Sequence, residues 1–138
     1  MTFMKLLLAK LVPLIFIMGL SVVSLAGCAK QEDSSSELLE EARASGKPTL
    51  IQFGVSTAVC YPCIAMKVVL DEITEEYKDE INVILIDVEV EKALTGEFKV
   101  MMIPTQVLFN FSGEEVFRHS GYLGKDEIII QLKEIGLE

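Results

Sequence analysis

Residues 58–66 read AVCYPCIAM and carry two cysteines, Cys60 and Cys63, three positions apart. The stretch lies where a short apolar run, residues 49–54, gives way to a pattern typical of an amphipathic helix. Two thiols at this spacing can form a structural disulfide, half of a metal site, or the reactive part of an electron-transfer enzyme. The rest of the sequence favours the third interpretation.

The N-terminal residues have the pattern of a secretory signal. Two lysines are the only charges before a mostly apolar run, residues 11–26, and small residues precede Cys28. The sequence LAGC at 25–28 resembles the lipobox of bacterial lipoproteins, in which cleavage occurs before a cysteine whose sulfur carries a lipid. We therefore predict a lipoprotein signal peptide over residues 1–27, lipidation of Cys28, and a polar tether over residues 28–36. An uncleaved N-terminal anchor is the alternative.

The predicted mature chain, residues 28–138, is strongly acidic. It keeps ten basic and 21 acidic side chains, a formal charge of −11. A surface of that sign repels nucleic acid and anionic lipid headgroups, which excludes nucleic-acid binding and a basic membrane-binding patch. Attachment to a membrane would then depend on acyl chains at Cys28. We expect an exported, membrane-anchored lipoprotein, in the periplasm or on the outer face of the cytoplasmic membrane.

Neither a stabilising disulfide nor a metal site accounts well for the cysteine pair. A bridge between Cys60 and Cys63 encloses only four residues, so it removes little chain entropy from the unfolded state. A structural zinc site takes four ligands, usually Cys and His, and the sequence adds only His119, on a late strand. We therefore predict no metal and no bound cofactor, and interpret His119 as a partly exposed strand residue without a catalytic role.

Hydrophobic periodicity predicts one α/β domain over residues 37–138. Apolar residues three and four positions apart indicate helices, whereas short runs rich in Ile, Val, Leu and Phe indicate strands, of which the first two should be buried. Ser112-Gly113 indicates a β-hairpin turn. The predicted order begins with a helix that has capping-box spacing at Ser34 and Glu37 and is ended by Gly46 and Pro48. Strand 49–54, helix 60–78, strand 81–88, helix 91–98, strands 105–111 and 114–119, and helix 125–135 follow.

The order of these elements predicts a sheet topology. Strands separated by helices pair in parallel through right-handed crossovers, whereas the last two strands form an antiparallel hairpin. The expected architecture is a mixed four-stranded sheet, a parallel βαβ unit plus a C-terminal antiparallel hairpin, flanked by helices on both faces. The thiols would lie where the first strand passes into its helix, at the carboxyl end of the sheet, where open α/β sheets place their sites.

The two thiols are expected to differ in reactivity. At the N-cap or first residue of the helix, Cys60 faces unpaired backbone N–H groups and the positive end of the helix dipole. Both favour the thiolate, the form that attacks disulfides. Cys63 lies one turn further in and should be more buried, which suits it to resolve a mixed disulfide. Pro62 is tolerated because first-turn N–H groups have no acceptor within the helix.

A second feature is Ile103-Pro104-Thr105, which opens a predicted strand. Proline is permitted there because no ladder donor is needed. By itself this is an ordinary strand-start proline, and the sequence is compatible with either isomer of the Ile103–Pro104 bond. A cis bond would expose the backbone of residue 103 to an incoming peptide.

Taken in order, several segments resemble the thioredoxin family. The resemblance covers residues 47–136, almost the whole predicted domain. It implies a thioredoxin fold and a dithiol–disulfide active site with Cys60 as the nucleophile and Cys63 as the resolving cysteine. The segments that carry it are Leu50-Ile51-Gln52-Phe53, Cys60-Tyr61-Pro62-Cys63, Ile86-Asp87-Val88, Ile103-Pro104-Thr105, Phe109 with Gly113-Glu114, and Gly121-Tyr122-Leu123.

The resemblance also implies which residues bind substrates and which partners the protein has. It implies a cis Pro104 packed against the site, with substrate-binding contacts at Tyr61, Pro62, Ile103 and Pro104. Membrane-tethered members take electrons from a polytopic thiol transporter and pass them to disulfide-containing exported proteins or to apocytochromes. We expect partners of these kinds, and a monomer.

The sequence departs from the family at two positions that bear on activity. Val59 stands where thioredoxins usually carry Trp, and Gln52 stands where they have a buried acid that assists the resolving thiol. These departures leave open a redox-inactive module that only binds partners, or a structural domain with an inert disulfide. Tyr61-Pro62 supplies no cation to stabilise a Cys60 thiolate, so we expect a reductase or disulfide carrier rather than a strong oxidant.

Overall fold

The computed structural model describes residues 34–57 and 59–137, which belong to one compact unit. The predicted signal peptide, the predicted lipidation site at Cys28 and the first part of the predicted tether lie outside the described residues. No helix in the described ranges combines the length and the apolar composition needed to cross a membrane. The elements follow the predicted order: α1 (Ser34–Ala44), β1 (Thr49–Gly54), α2 (Tyr61–Tyr77), β2 (Asn82–Asp87), α3 (Lys92–Glu97), β3 (Thr105–Phe109), β4 (Glu115–Ser120) and α4 (Lys125–Glu134).

The four strands form one mixed sheet in the order β2-β1-β3-β4. β1 pairs in parallel with β2 and antiparallel with β3, and β3 pairs antiparallel with β4. This confirms the predicted architecture. The pairing of Phe53 with Thr105 places the start of β3 beside the end of β1.

Two hydrophobic cores cover the two faces of the sheet. Successive residues of a strand point to opposite faces, and Leu50 of β1 joins a core built with α2 and α4. Ile51 and Phe53 join the other core, built with α1 and α3. All six residues of β1 are buried, as predicted for a strand covered on both faces.

The prediction that β2 is buried is wrong for one of its faces. β2 is an edge strand, since β1 is its only sheet neighbour in the described chain. Ile84 and Ile86 contact the core under α1 and α3, but Leu85, on the other face, is 47% exposed. An apolar run cannot distinguish a central strand from an edge strand, because that difference depends on which strands lie beside it.

The β3–β4 hairpin turns where the sequence predicted. Asn110 Oδ1 accepts hydrogen bonds from the backbone N–H groups of Ser112 and Glu114, at 2.9 and 3.0 Å. Gly113 has a φ of +75°, a conformation that side chains disfavour and glycine adopts readily. His119 lies on β4 and is partly exposed, as expected.

The loop between β1 and α2 is tied to the end of β2. The Asp87 carboxylate accepts hydrogen bonds from the backbone N–H of Ser56, at 2.9 Å, and from the Ser56 hydroxyl. The backbone N–H of Val88 donates to the carbonyl oxygen of Gly54 at 2.9 Å. The bonds from Ser56 lower the pKa of Asp87 below its ordinary value of 3.8, because they stabilise the charged form. A charged carboxylate therefore holds the loop that leads to Cys60.

Replacing Asp87 by Asn should lower the free energy of unfolding near neutral pH by about 1 kcal/mol, the net contribution of such a hydrogen bond. Because folding lowers the pKa of Asp87, the unfolded chain takes up the proton first as the pH falls. The contribution is therefore complete above the ordinary pKa of 3.8 and is lost as the pH falls through the lower folded-state value. Urea denaturation of both proteins across this range measures the difference.

Asp79→Asn, at an exposed position, is the control and should change the free energy of unfolding little at any pH. A destabilisation by Asp87→Asn that stayed constant into the acid range would contradict the role assigned to the charge.

Candidate active site

Cys60 is the N-cap residue of α2. Its backbone is extended, with φ −109° and ψ 90°, and its Sγ accepts a hydrogen bond from the backbone N–H of Cys63 at 3.3 Å. This N–H is one of the four that an α-helix leaves without an internal acceptor. The sulfur therefore takes the place of the side-chain oxygen of an ordinary N-cap residue, in agreement with the sequence-based expectation.

The local sequence explains why α2 begins at Tyr61. Pro62 lies in the first turn, where its missing N–H costs nothing. The first helical hydrogen bond, from Ile64 N to Cys60 O, is 3.1 Å long. Further along α2, buried side chains recur at intervals of three and four residues and pack against the sheet. The buried face of the helix thus decides where each cysteine points.

Cys60 and Cys63 form a disulfide, and their Cα atoms are 5.2 Å apart. Cys60 is partly exposed, whereas Cys63 is only 3% exposed. An incoming sulfur therefore has access to Cys60 rather than to Cys63. In the reduced state, the Cys63 N–H and the N-terminus of α2 favour a thiolate at Cys60.

The Ile103–Pro104 peptide bond is cis, the isomer that the resemblance implied. The carbonyl oxygen of Pro104 accepts a hydrogen bond from the backbone N–H of Gly121 at 2.7 Å. Ile103 is half-buried and Pro104 is buried. Because Phe53 pairs with Thr105, this loop lies beside the C-terminal end of β1. From that end of the strand the chain continues to the cysteines.

Exposed apolar side chains flank both segments. Tyr61 and Pro62 are exposed, and sequence reasoning missed three others: Val59, Met101 and Met102 are exposed too, Met101 to 94%. Apolar residues in a short run beside a strand ordinarily indicate core, so the pattern held no signal for their exposure. Clustered exposed apolar residues are typical of a surface that binds a partner.

A cavity of about 270 Å³ lies beside Cys63. Gln52 and Gly54 from the end of β1 line one side of it, together with Leu85 of β2. Cys63 and the neighbouring turn of α2 line the other side. The buried cysteine therefore borders a pocket that is open to solvent on the side of the exposed Leu85 and Ile64.

Two buried glutamines lie side by side on the sheet face that carries α2. Gln52 of β1 and Gln106 of β3 are cross-strand partners and are both buried. Within the described part of the chain, Gln52 Oε1 and both polar side-chain atoms of Gln106 have no hydrogen-bond partner. A buried polar atom without a partner costs about 1–3 kcal/mol, so packing alone does not account for this pair.

Among the described residues, metal-ligating side chains do not gather around the thiols. Over residues 34–57 and 59–137, no three His, Cys, Asp or Glu side chains are grouped closely enough to hold a metal ion. His119 Nε2 lies 3.2 Å from the carbonyl oxygen of Tyr122, and its ring stacks on Phe117. His119 is thus engaged in local contacts of β4 and the segment that follows it.

Known proteins resemble this chain over most of its length. The profile of the thioredoxin-like domain family matches residues 36–136. The chain is 33% identical over 96 residues to a thioredoxin of Alicyclobacillus acidocaldarius subsp. acidocaldarius, a match that covers 70% of this chain and 89% of that protein. It is 31% identical over 104 residues to the bifunctional thioredoxin reductase/thioredoxin of Mycobacterium leprae (strain TN), covering 75% of this chain but only 22% of that longer protein.

A solved structure shows the same architecture. The crystal structure of chloroplastic thioredoxin z superposes with a TM-score of 0.66 and 27% sequence identity, over 73% of this chain and 89% of that one. Sequence, fold and the paired cysteines therefore agree, and this chain belongs to the thioredoxin-like family and is a thiol–disulfide oxidoreductase.

Proposed function

We propose that this protein is an exported, lipid-anchored oxidoreductase that reduces disulfides of exported proteins or of apocytochromes. Cys60 is the nucleophile and Cys63 the resolving cysteine. The observation that carries the proposal is the asymmetry of the pair: Cys60 is partly exposed and accepts a hydrogen bond from the Cys63 N–H, whereas Cys63 is buried.

In the first step the Cys60 thiolate attacks one sulfur of the substrate disulfide. A bond forms between Cys60 Sγ and that sulfur, and the substrate disulfide breaks. The other substrate sulfur leaves with the electron pair and takes up a proton from solvent. The product is a mixed disulfide between Cys60 and the substrate.

In the second step Cys63 loses its proton and attacks Cys60 Sγ. The Cys60–Cys63 disulfide forms, the mixed disulfide breaks, and the second substrate sulfur leaves as a thiolate that is then protonated. The Cα separation of 5.2 Å in the disulfide lies within the normal range for a disulfide.

Substrate docks on the exposed apolar surface around the two loops. Tyr61 and Pro62 lie beside Cys60, and Ile103 and Pro104 lie at the same edge of the sheet. An extended segment of substrate held there would bring its disulfide to Cys60. The exposed Met101, on the same loop as Ile103, adds a flexible apolar side chain that adapts to different partners.

The oxidised pair must be reduced again after each cycle. A polytopic membrane thiol transporter is the proposed electron donor, because a lipid on Cys28 would keep the domain at the membrane that holds such a transporter. The acidic surface gives the domain no electrostatic attraction to anionic lipid, so the lipid must supply the attachment.

A second candidate is a partner-binding module without redox turnover. The exposed apolar residues, of which Val59 and Met101 are the most exposed, would support binding whether or not the thiols react. The oxidoreductase requires both cysteines, whereas the binding module would hold its partner without them.

Replacing Cys60 by Ala should abolish reduction of insulin disulfides, because the other cysteine of the described residues, Cys63, is buried. Replacing Cys63 by Ala should leave the first step intact and trap mixed disulfides with partners, which identifies them when the trap is made in the native host. Full activity in both variants would end the redox proposal, and unchanged partner capture by a double Cys→Ser variant would favour the binding module.

Replacing Tyr61 by Ser should raise the KM for a protein substrate roughly fivefold, the effect of losing one well-packed interface side chain, and leave kcat within about twofold. Phe111→Ser is the matched control. Phe111 is an exposed aromatic residue in the β3–β4 turn, which lies at the end of the sheet opposite the cysteines. Equal KM values in both variants would place the docking surface elsewhere.

Replacing Cys28 by Ser should release the protein from the membrane fraction of its host without affecting insulin reduction by the isolated protein. Fractionation followed by immunoblotting measures the distribution. A variant that stays with the membrane would favour the uncleaved anchor over the lipid.

A further inference from the structure

The outer edge of β2 is not paired with any described part of the chain. We propose that this edge, together with the cavity beside Leu85, is a docking site for an extended, cationic segment of a partner protein. The segment adds to the sheet as a further strand. Its backbone binds Val83 and Leu85, and apolar side chains at alternate positions enter the cavity.

Alternate residues of β2 direct their backbone groups away from β1. The N–H groups of Asn82 and Val88 donate to carbonyl oxygens at the two ends of β1, at 2.8 and 2.9 Å. Successive residues of a strand alternate between its two sides, so Val83 and Leu85 direct their N–H and C=O groups to the opposite side. Within residues 34–57 and 59–137, no strand lies on that side to receive them.

The two edge strands of the sheet differ in their protection against pairing. β4 carries Glu115, Arg118 and His119, and its register with β3 shifts once. Charged side chains and bulges are means by which edge strands avoid pairing with other chains. β2 is uncharged and apolar over residues 83–86. The edge of β2 is therefore suited to accept a strand, whereas the edge of β4 is not.

The cavity supplies a place for the side chains of an added strand. Leu85 is 47% exposed and Ile64 of α2 is 45% exposed, and both line the cavity of about 270 Å³. In a strand beside β2, every second side chain lies on the same face of the sheet as Leu85. Apolar side chains at those positions would cover Leu85 and Ile64 and remove them from water.

The charges around the edge determine the sign of the partner segment. The exposed charged residues within three positions of either end of β2 are Asp79, Glu80 and Glu89, all acidic. Lys67, which lines the cavity, is paired with Asp71 at 2.8 Å. A second copy of this chain, with a formal charge of −9, would be repelled, whereas a segment with cationic ends would be attracted.

A synthetic peptide, Lys-Lys-Thr-Val-Thr-Val-Thr-Val-Lys-Lys, represents such a segment. Its central part matches the six residues of β2, its valines alternate, and its lysines lie at both ends. Fluorescence anisotropy of the labelled peptide, titrated with the full chain in detergent, measures the dissociation constant. We expect saturable binding that weakens as salt is added, because salt screens the exposed charges.

Two altered peptides separate backbone pairing from charge. Methylation of the central backbone nitrogens keeps every side chain but removes the donors, and should weaken binding roughly tenfold or more. Glutamate in place of the four lysines keeps the donors but reverses the charge, and should also weaken binding roughly tenfold or more.

Replacing Leu85 by Lys places a charge where the apolar side chains of the segment lie, and should weaken binding of the parent peptide roughly tenfold or more. Val116→Lys is the matched control. Val116 is 45% exposed on β4, the other edge strand, and its replacement should leave the dissociation constant within about twofold. Both variants should reduce insulin within about twofold of the wild-type rate, which shows that the fold and the thiols are intact.

Several outcomes would overturn the proposal. The parent peptide does not bind, or it binds both variants equally, or the methylated peptide binds as tightly as the parent. Concentration-dependent dimerisation of the full chain that Leu85→Lys abolishes would assign the edge to a second copy instead. Peptide binding that appears only after deletion of residues 28–33 would assign it to the N-terminal segment of this chain.

Discussion

The hydrogen bond from the backbone N–H of Cys63 to the sulfur of Cys60 is the interaction on which the active site depends. It exists because an α-helix begins with N–H groups that its own backbone cannot satisfy, and here a sulfur occupies the N-cap position. The same helix start carries the positive end of the dipole. The two cysteine side chains differ in exposure because Cys60 precedes the helix, whereas Cys63 lies one turn inside it, on the buried face of α2.

The sheet joins segments that are distant in the sequence into one site. The parallel register of β1 and β2 sets Asp87 beside the loop that leads to Cys60, where its carboxylate binds Ser56. The antiparallel register of β1 and β3 brings the Pro104 loop to the same end of the sheet as the cysteines. Because strand pairing is set by backbone hydrogen bonds along each strand, small shifts in register would separate all three segments at once.

The two buried glutamines carry a cost in stability. Apolar residues at positions 52 and 106 would pack into the core without unpaired polar atoms, and would be expected to stabilise it. In the described structure Gln52 Oε1 and both polar side-chain atoms of Gln106 instead stay buried without a hydrogen-bond partner. The described structure places this polar pair directly across from each other on β1 and β3, next to the cavity that Cys63 lines.

By itself the sequence determined the order of helices and strands, the mixed sheet, and the position of Cys60 at the start of α2. Hydrophobic periodicity and cap residues act over a few neighbouring residues, so they can be read locally. Only the tertiary structure decided that β2 is an edge strand with Leu85 exposed, that Val59, Met101 and Met102 face outwards, and that Gln52 meets Gln106 beside a cavity. These features depend on which strands become neighbours and on how helices cover them, and no local pattern of residues encodes that information.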